Sequence, residues 1–233
     1  TAGADPFDAF DWIEMSVEIR NPDGSLADEI HGVQLPSGFA GVPGKVCAQK
    51  YLRKAGVPAA LRKVAEDGVP GWLQRSEPDH EKLQTLAPED RFVGETDGRE
   101  LFRRLAGTWT YWGWNHGYFA SEADARAFYD EMAYLIASQR SAPNSPQWFN
   151  TGLNWAYGIT GPAQGHHYVD AVTGELKLSE DAYTHPQPHA CFIQSVGDSL
   201  VGGTESIMGL WNREALLFKY GSGTGSNFSQ IRG

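Results

Sequence analysis

With 233 residues, 41% of them hydrophobic, the chain is long enough for one large domain or two small ones with a buried core, and too apolar for a disordered tail. A formal net charge of -10 argues against broad binding to nucleic acid or anionic membranes, and no stretch approaches the roughly 20 apolar residues of a membrane span. Two cysteines, Cys47 and Cys191, are too few for a disulfide framework or a cysteine-rich zinc site.

The N-terminal TAGADPFDAFDW lacks the basic and apolar regions of a signal peptide, so a cytoplasmic location is expected. SVEIRNPDGSLADEIHGVQLP then reads as a β-hairpin: Val17 and Ile19 alternate into a turn built on Pro22 and Gly24, and Ile30, Val33 and Leu35 follow. Lys45 to Ala55 reads as a short helix closed by Gly56 and Pro58, with Cys47 as a packing residue. From about Glu66 to Asp97 the polar, proline-containing stretch is expected to be surface loop with scraps of helix.

Two helices come next. In GRELFRRLAGTWTYWGWNHG, Leu101, Leu105, Trp109 and Trp112 recur on one face, and core is the expected place for them. In SEADARAFYDEMAYLIASQR, Ser121 and Asp124 form a capping-box pattern ahead of a stripe of Ala125, Phe128, Met132, Leu135 and Ile136. PNSPQWFNTG, with two prolines and a terminal glycine, reads as a rigid turn. HYVDAVTGELKLS is expected to be a hairpin around Thr173-Gly174, ACFIQSV a buried strand, and Thr204 to Lys219 a helix with Ile207, Leu210, Trp211, Glu214 and Phe218 on one side.

The glycine loop GSGTGSN, residues 221–227, matches neither familiar phosphate motif. Its order is G-x-G-x-G and a helix precedes it, so a pyrophosphate would meet the wrong end of the helix dipole. A Walker motif needs Lys and then Ser or Thr after the last glycine, where Ser226 and Asn227 stand. Such a loop still permits close approach of backbone to a ligand; a tight helix-to-strand connection is the alternative.

PNSPQWFNTG, HACFIQSVGDSL and EALLFKYGSGTGSNFSQIRG, in that order, resemble the adenosylcobalamin-dependent class II ribonucleotide reductases. The likeness extends into AYGITGPAQGHHYVD and is strongest from about Gly117 onward. It implies that Cys191 is the first of two redox cysteines whose thiols become a disulfide as the ribose is reduced. It implies substrate contacts from Ser145, Ala190, Cys191, Ser222 and Gly223, and a dNTP effector site containing Asp198 and Arg232. A turn-capping Ser145, a helix-capping Asp198 and a solvated Arg232 are the plainer alternatives. Ala190 departs from the pattern, because reductases of other classes carry Ser there. His166, His167, His185 and His189 are spaced too irregularly for a metal site.

The resemblance also implies a fold and partners. The expected class is α/β: a mainly helical N-terminal region with a hairpin over residues 1–140, then from 141–233 the first part of a ten-stranded α/β barrel, incomplete and with one strand. The thiyl cysteine, the assisting glutamate and the second redox cysteine would lie downstream of SQIRG. The chain is therefore expected to be the N-terminal portion of a longer enzyme, inactive alone, partnered by its C-terminal remainder and homodimeric when complete. The expected substrate is a ribonucleoside diphosphate, the reductant a thioredoxin-like dithiol and the cofactor adenosylcobalamin. The competing readings are a dNTP-binding regulatory module without catalysis and a purely structural helical domain.

Overall fold

The computed structural model describes residues 4–232; residues 1–3, at the head of the N-terminal stretch, and residue 233, which ends SQIRG, lie outside them. The fold is mixed α/β, built from helices and small two-stranded sheets.

The hairpin forms where its alternation places it, as antiparallel β1 (Trp12–Arg20) and β2 (Leu26–Pro36). Its turn closes through the Gly24 N–H donating to the Asn21 carbonyl at 2.9 Å, with Gly24 at a φ of 85°. Val17, Val33 and Leu35 are fully buried and meet Leu101, Phe102, Leu105 and Ile136 in the main core.

The expected 45–55 helix starts earlier and stops sooner. It is α1 (Val42–Val46), which widens into a π-type turn over Cys47–Tyr51. The 66–97 stretch is more ordered than a surface loop. Around it, β3 (Val57–Pro58) pairs β6 (Phe92–Val93), β4 (Leu61–Lys63) pairs β5 (Ser76–Pro78), and α2 (His80–Gln84) lies between. Leu73 is fully buried and Glu95 nearly so, because each is held by groups distant in sequence: the Trp155 indole N–H reaches the Leu73 carbonyl at 2.9 Å.

Helix α3 (Gly98–Asn115) opens on a complete capping box, with Asp97 as cap and the Glu100 side chain returning to the Asp97 N–H. Helix α4 (Glu122–Ala137) is capped by Ser121, whose hydroxyl accepts from the Asp124 N–H at 3.2 Å. Its buried face is Ala125, Ala133, Ile136 and Ala137, whereas Phe128 sits at its exposed edge. Trp109 and Trp112 are half-buried and both border a cleft; Trp109 also packs against the main core, as expected.

PNSPQWFNTG is also a helix and not only a turn. Asn144 caps α5 (Ser145–Asn150) by accepting from the Gln147 N–H at 3.3 Å, and Pro146 falls in the first turn, where a missing N–H costs nothing. Gly152, at a φ of 86°, passes the chain into α6 (Leu153–Tyr157). The second hairpin is β7 (His167–Val169) with β8 (Leu176–Leu178).

At the C-terminal end, β9 (Cys191–Ser195), α7 (Ile207–Lys219) and β10 (Gly223–Asn227) make a strand–helix–strand unit with the two strands parallel. Two strands stand here instead of the one expected, because the glycine loop is itself the second. The expected burial of β9 does not hold either: Ile193 is 85% exposed, and on α7 Trp211 and Phe218 also face outward. Parallel strands normally have both faces covered, and here they do not.

Candidate functional site

Cys191 opens β9 and is exposed, so its thiol is accessible. The parallel register sets Gly223 against it, and the Gly223 N–H donates to the Ala190 carbonyl at 2.6 Å. A Cβ at position 223 would lie 3.2 Å from the Cys191 sulfur, tighter than an ordinary contact. The missing side chain therefore leaves room beside the sulfur. Just before it, Gly221 turns at a φ of 80° and the Ser222 N–H donates to the Leu217 carbonyl at 3.0 Å, ending α7.

Polar bonds fasten α7 to this sheet. Arg213 donates from Nε to the Gln194 side-chain oxygen at 2.9 Å and from Nη2 to the Ser195 carbonyl at 2.8 Å. Gln194 in turn donates to Thr224 Oγ1 at 2.8 Å, and Ser226 donates to Glu214 at 2.8 Å. Spacing groups Glu214 with the apolar side of its helix; its carboxylate serves the strand hydroxyl instead.

Asp198 and Arg232, far apart in sequence, meet: Arg232 Nε donates to Asp198 Oδ2 at 2.5 Å, with the arginine side chain 80% exposed. Ser145 is exposed at the first position of α5, whose side-chain bond runs to α3 and not to the β9–β10 pair: the Trp109 indole N–H donates to the Gln147 oxygen at 3.0 Å. The structure thus joins Cys191 to Gly223 and Asp198 to Arg232, and leaves Ser145 on a separate element.

Ser222 also lines a cleft of about 1550 Å³ whose walls include Trp109, Trp112, Phe119, Tyr168 and Phe192. On its rim the His185 ring stacks on Tyr168 with centroids 3.7 Å apart, and burial, with His166 nearby, holds the His185 pKa below its ordinary value. Among the described residues no group of three or more His, Cys, Asp or Glu is arranged to hold a metal ion.

One cluster escaped the sequence reading. The Arg104 and Glu95 side chains are both fully buried and paired, Nε to Oε1 at 2.7 Å, and the Tyr157 hydroxyl donates to the same Oε1 at 2.7 Å. Burial, then the Glu95 charge, pushes the Tyr157 phenol far up. The signal was available: an arginine at 104 falls inside the Leu101, Leu105, Thr108 face, where only apolar residues belong unless paired.

Known proteins share this arrangement's sequence. Residues 13–139 match the family model described as class II vitamin B12-dependent ribonucleotide reductase. The whole chain is 58% identical to the vitamin B12-dependent ribonucleotide reductase of Bradyrhizobium diazoefficiens, and 93% of it is 61% identical to that of Agrobacterium fabrum. A more distant relative of the same description, from Streptomyces avermitilis, is 30% identical over the full chain. The chain spans only 17–18% of the length of these relatives. Cys191, Asp198 and Gly223 lie beyond the matched model but within the span shared with the Bradyrhizobium protein.

Proposed function

The chain belongs to the class II vitamin B12-dependent ribonucleotide reductase family, and on that premise we propose that it carries the first redox cysteine and part of the nucleotide sites of an enzyme reducing ribonucleoside diphosphates to deoxyribonucleotides. The observation that carries this is the pairing of Cys191 with Gly223, which keeps side-chain bulk away from an accessible sulfur. A ribose laid along the side-chain-free backbone at 223 would meet the thiol directly. Ser222, Ala190 and, from α5, Ser145 are the remaining substrate contacts in this reading.

Loss of the 2′-hydroxyl as water consumes two electrons and two protons. Cys191 and a second cysteine in the remainder of the polypeptide supply them as their thiols close into a disulfide, and a thioredoxin-like dithiol reopens it. The thiyl cysteine and the glutamate base belong to that remainder, which would also complete the ten-stranded barrel and the homodimer. Where cobalamin is concerned, the aromatic-lined cleft beside Ser222 is the candidate seat on this chain. It exceeds the roughly 300–1,000 Å³ of ordinary small-molecule pockets, and Trp112, Phe119, Tyr168 and Phe192 would hold a broad, flat ring system. Bound adenosylcobalamin supplies the initiating radical by cobalt–carbon homolysis.

In the full-length enzyme with adenosylcobalamin and a dithiol, Cys191→Ser is expected to abolish deoxynucleotide formation while dTTP still binds. Unchanged turnover would remove the assigned role. The Asp198–Arg232 pair favours a second reading for its own corner, a dNTP effector site in which arginine takes phosphate and aspartate takes ribose hydroxyl. Arg232→Ala should weaken equilibrium binding of dTTP or dATP about tenfold; unaltered affinity would leave this ion pair a surface contact.

A further inference from the structure

Arg104 occupies a core position of α3 with none of its side chain exposed. A buried ion pair adds little net stability, since desolvating both charges offsets most of their attraction. The value of this pair is in what else the guanidinium grips. Nη1 donates to the Thr151 carbonyl at 2.8 Å and Nη2 to the Trp148 carbonyl at 3.0 Å. Those groups belong to the last turn of α5 and its cap, which the helix itself leaves without partners. Nη2 also reaches the Tyr51 carbonyl at 3.1 Å, and Glu95 accepts from the Arg53 N–H at 2.7 Å, so the same pair anchors the segment that follows α1.

Helix α5 cannot set its own orientation. It has six residues and a single buried side chain, Trp148, which stacks on Tyr51 with centroids 5.0 Å apart. Beyond the Tyr51 stack, its placement comes from α3: the Arg104 grip, the Trp109–Gln147 bond, and backbone so close that a Cβ on Gly152 would sit 2.4 Å from the Arg104 carbonyl oxygen. Ser145 stands at the far end of this short, externally held rod.

We infer that Arg104, supported by Glu95, is a positioning residue for substrate binding, fixing from α3 where the Ser145 hydroxyl stands. This rests on the reading of Ser145 as a substrate contact. The contact would be lost when the rod is free to tilt, even though the serine remains.

The test is a kinetic cycle in the full-length reductase, with folding checked by circular dichroism. It compares Ser145→Ala, the charge-neutral pair Arg104→Met with Glu95→Gln, and all three changes together. The Glu95→Gln change strands no buried charge: its one amide oxygen can accept from the Arg53 N–H, and its NH2 then faces the Tyr157 hydroxyl, which can turn to accept. Expected are a KM for the ribonucleotide raised about tenfold by Ser145→Ala and comparably by the neutral pair, kcat within about twofold, and no further rise in the triple variant. Arg104→Lys, which keeps the charge and loses the fork, should fall between wild type and the neutral pair. If the neutral pair does not fold, Arg104→Lys with and without Ser145→Ala completes the cycle. An unchanged KM in folded Arg104 variants, or effects that multiply with Ser145→Ala, overturns the inference. An unchanged KM in Ser145→Ala alone removes the reading beneath it, and Arg104 loses its role with it.

Discussion

A thiol reacts as its thiolate and only where a reagent can reach it. Cys47 fails on both counts: it is 2% exposed, and burial, with the Glu95 charge behind it, pushes its pKa up to about 12. Cys191 is open to solvent at the start of β9. At pH 8 the native chain should therefore show about one thiol reactive toward a disulfide reagent, rising to two in guanidinium, and Cys191→Ser should erase the native one; two fast thiols, or none, would contradict the environments described. The packing role of Cys47 was legible from its apolar neighbours. The exposure of Cys191 was not, because HACFI is as apolar as KVCAQKYL and local composition cannot say whether a strand has a cover. Arg104 was missed for a different reason. Its place on an apolar helix face marks it in the sequence as paired, but its partners, Glu95 and three distant carbonyls, appear only when the fold brings them together.

At the scale of elements, short-range devices were readable and long-range ones were not. The Asn-Pro-Asp-Gly hairpin, the Ser121 cap and the β7–β8 hairpin are each set within a few residues, and each formed where expected. The stretch PNSPQWFNTG, residues 143–152, reads as a turn because of its prolines, yet Pro146 occupies a first-turn position that a helix tolerates. Gly152 is the residue that this packing cannot exchange. Gly152→Ala combines a left-handed backbone with a collision against the Arg104 carbonyl and should lower stability by about 1–3 kcal/mol in urea unfolding; a neutral result would mean that α3 and α5 are not in the described contact. The 66–75 loop is tied to α3 by Glu66. Burial alone would raise its pKa, but hydrogen bonds from the Tyr111 hydroxyl and from the Arg75 backbone and side chain outweigh that and hold it below the ordinary value. Its stabilisation is thus present above the unfolded glutamate pKa and is lost as pH falls through the lower folded value. Glu66→Gln should flatten that part of the acid limb of a urea-midpoint profile, and an unchanged limb would speak against the pairing.

For the molecule as a whole, the decisive feature is a two-stranded parallel sheet with apolar residues exposed on and around it. Two parallel strands, one apolar helix face and the β7–β8 hairpin lie exposed together with Ile193, Trp211, Phe218 and Leu176. Spacing alone could not foresee this, since the apolar character of ACFIQSV is the same whether or not something packs upon it. The chain spans under a fifth of its relatives' length, and the further polypeptide of a full-length reductase is the cover proposed for these surfaces. The proposed chemistry turns on Cys191 giving electrons to a bound ribonucleotide. The direct measurement is a single turnover of the prereduced full-length enzyme with ribonucleoside diphosphate and adenosylcobalamin, without external dithiol, followed by disulfide mapping of its peptides. The expected result is about one deoxynucleotide per active site, with Cys191 recovered in a disulfide to a cysteine of the proposed further polypeptide. Product formed while Cys191 remains a free thiol would contradict it.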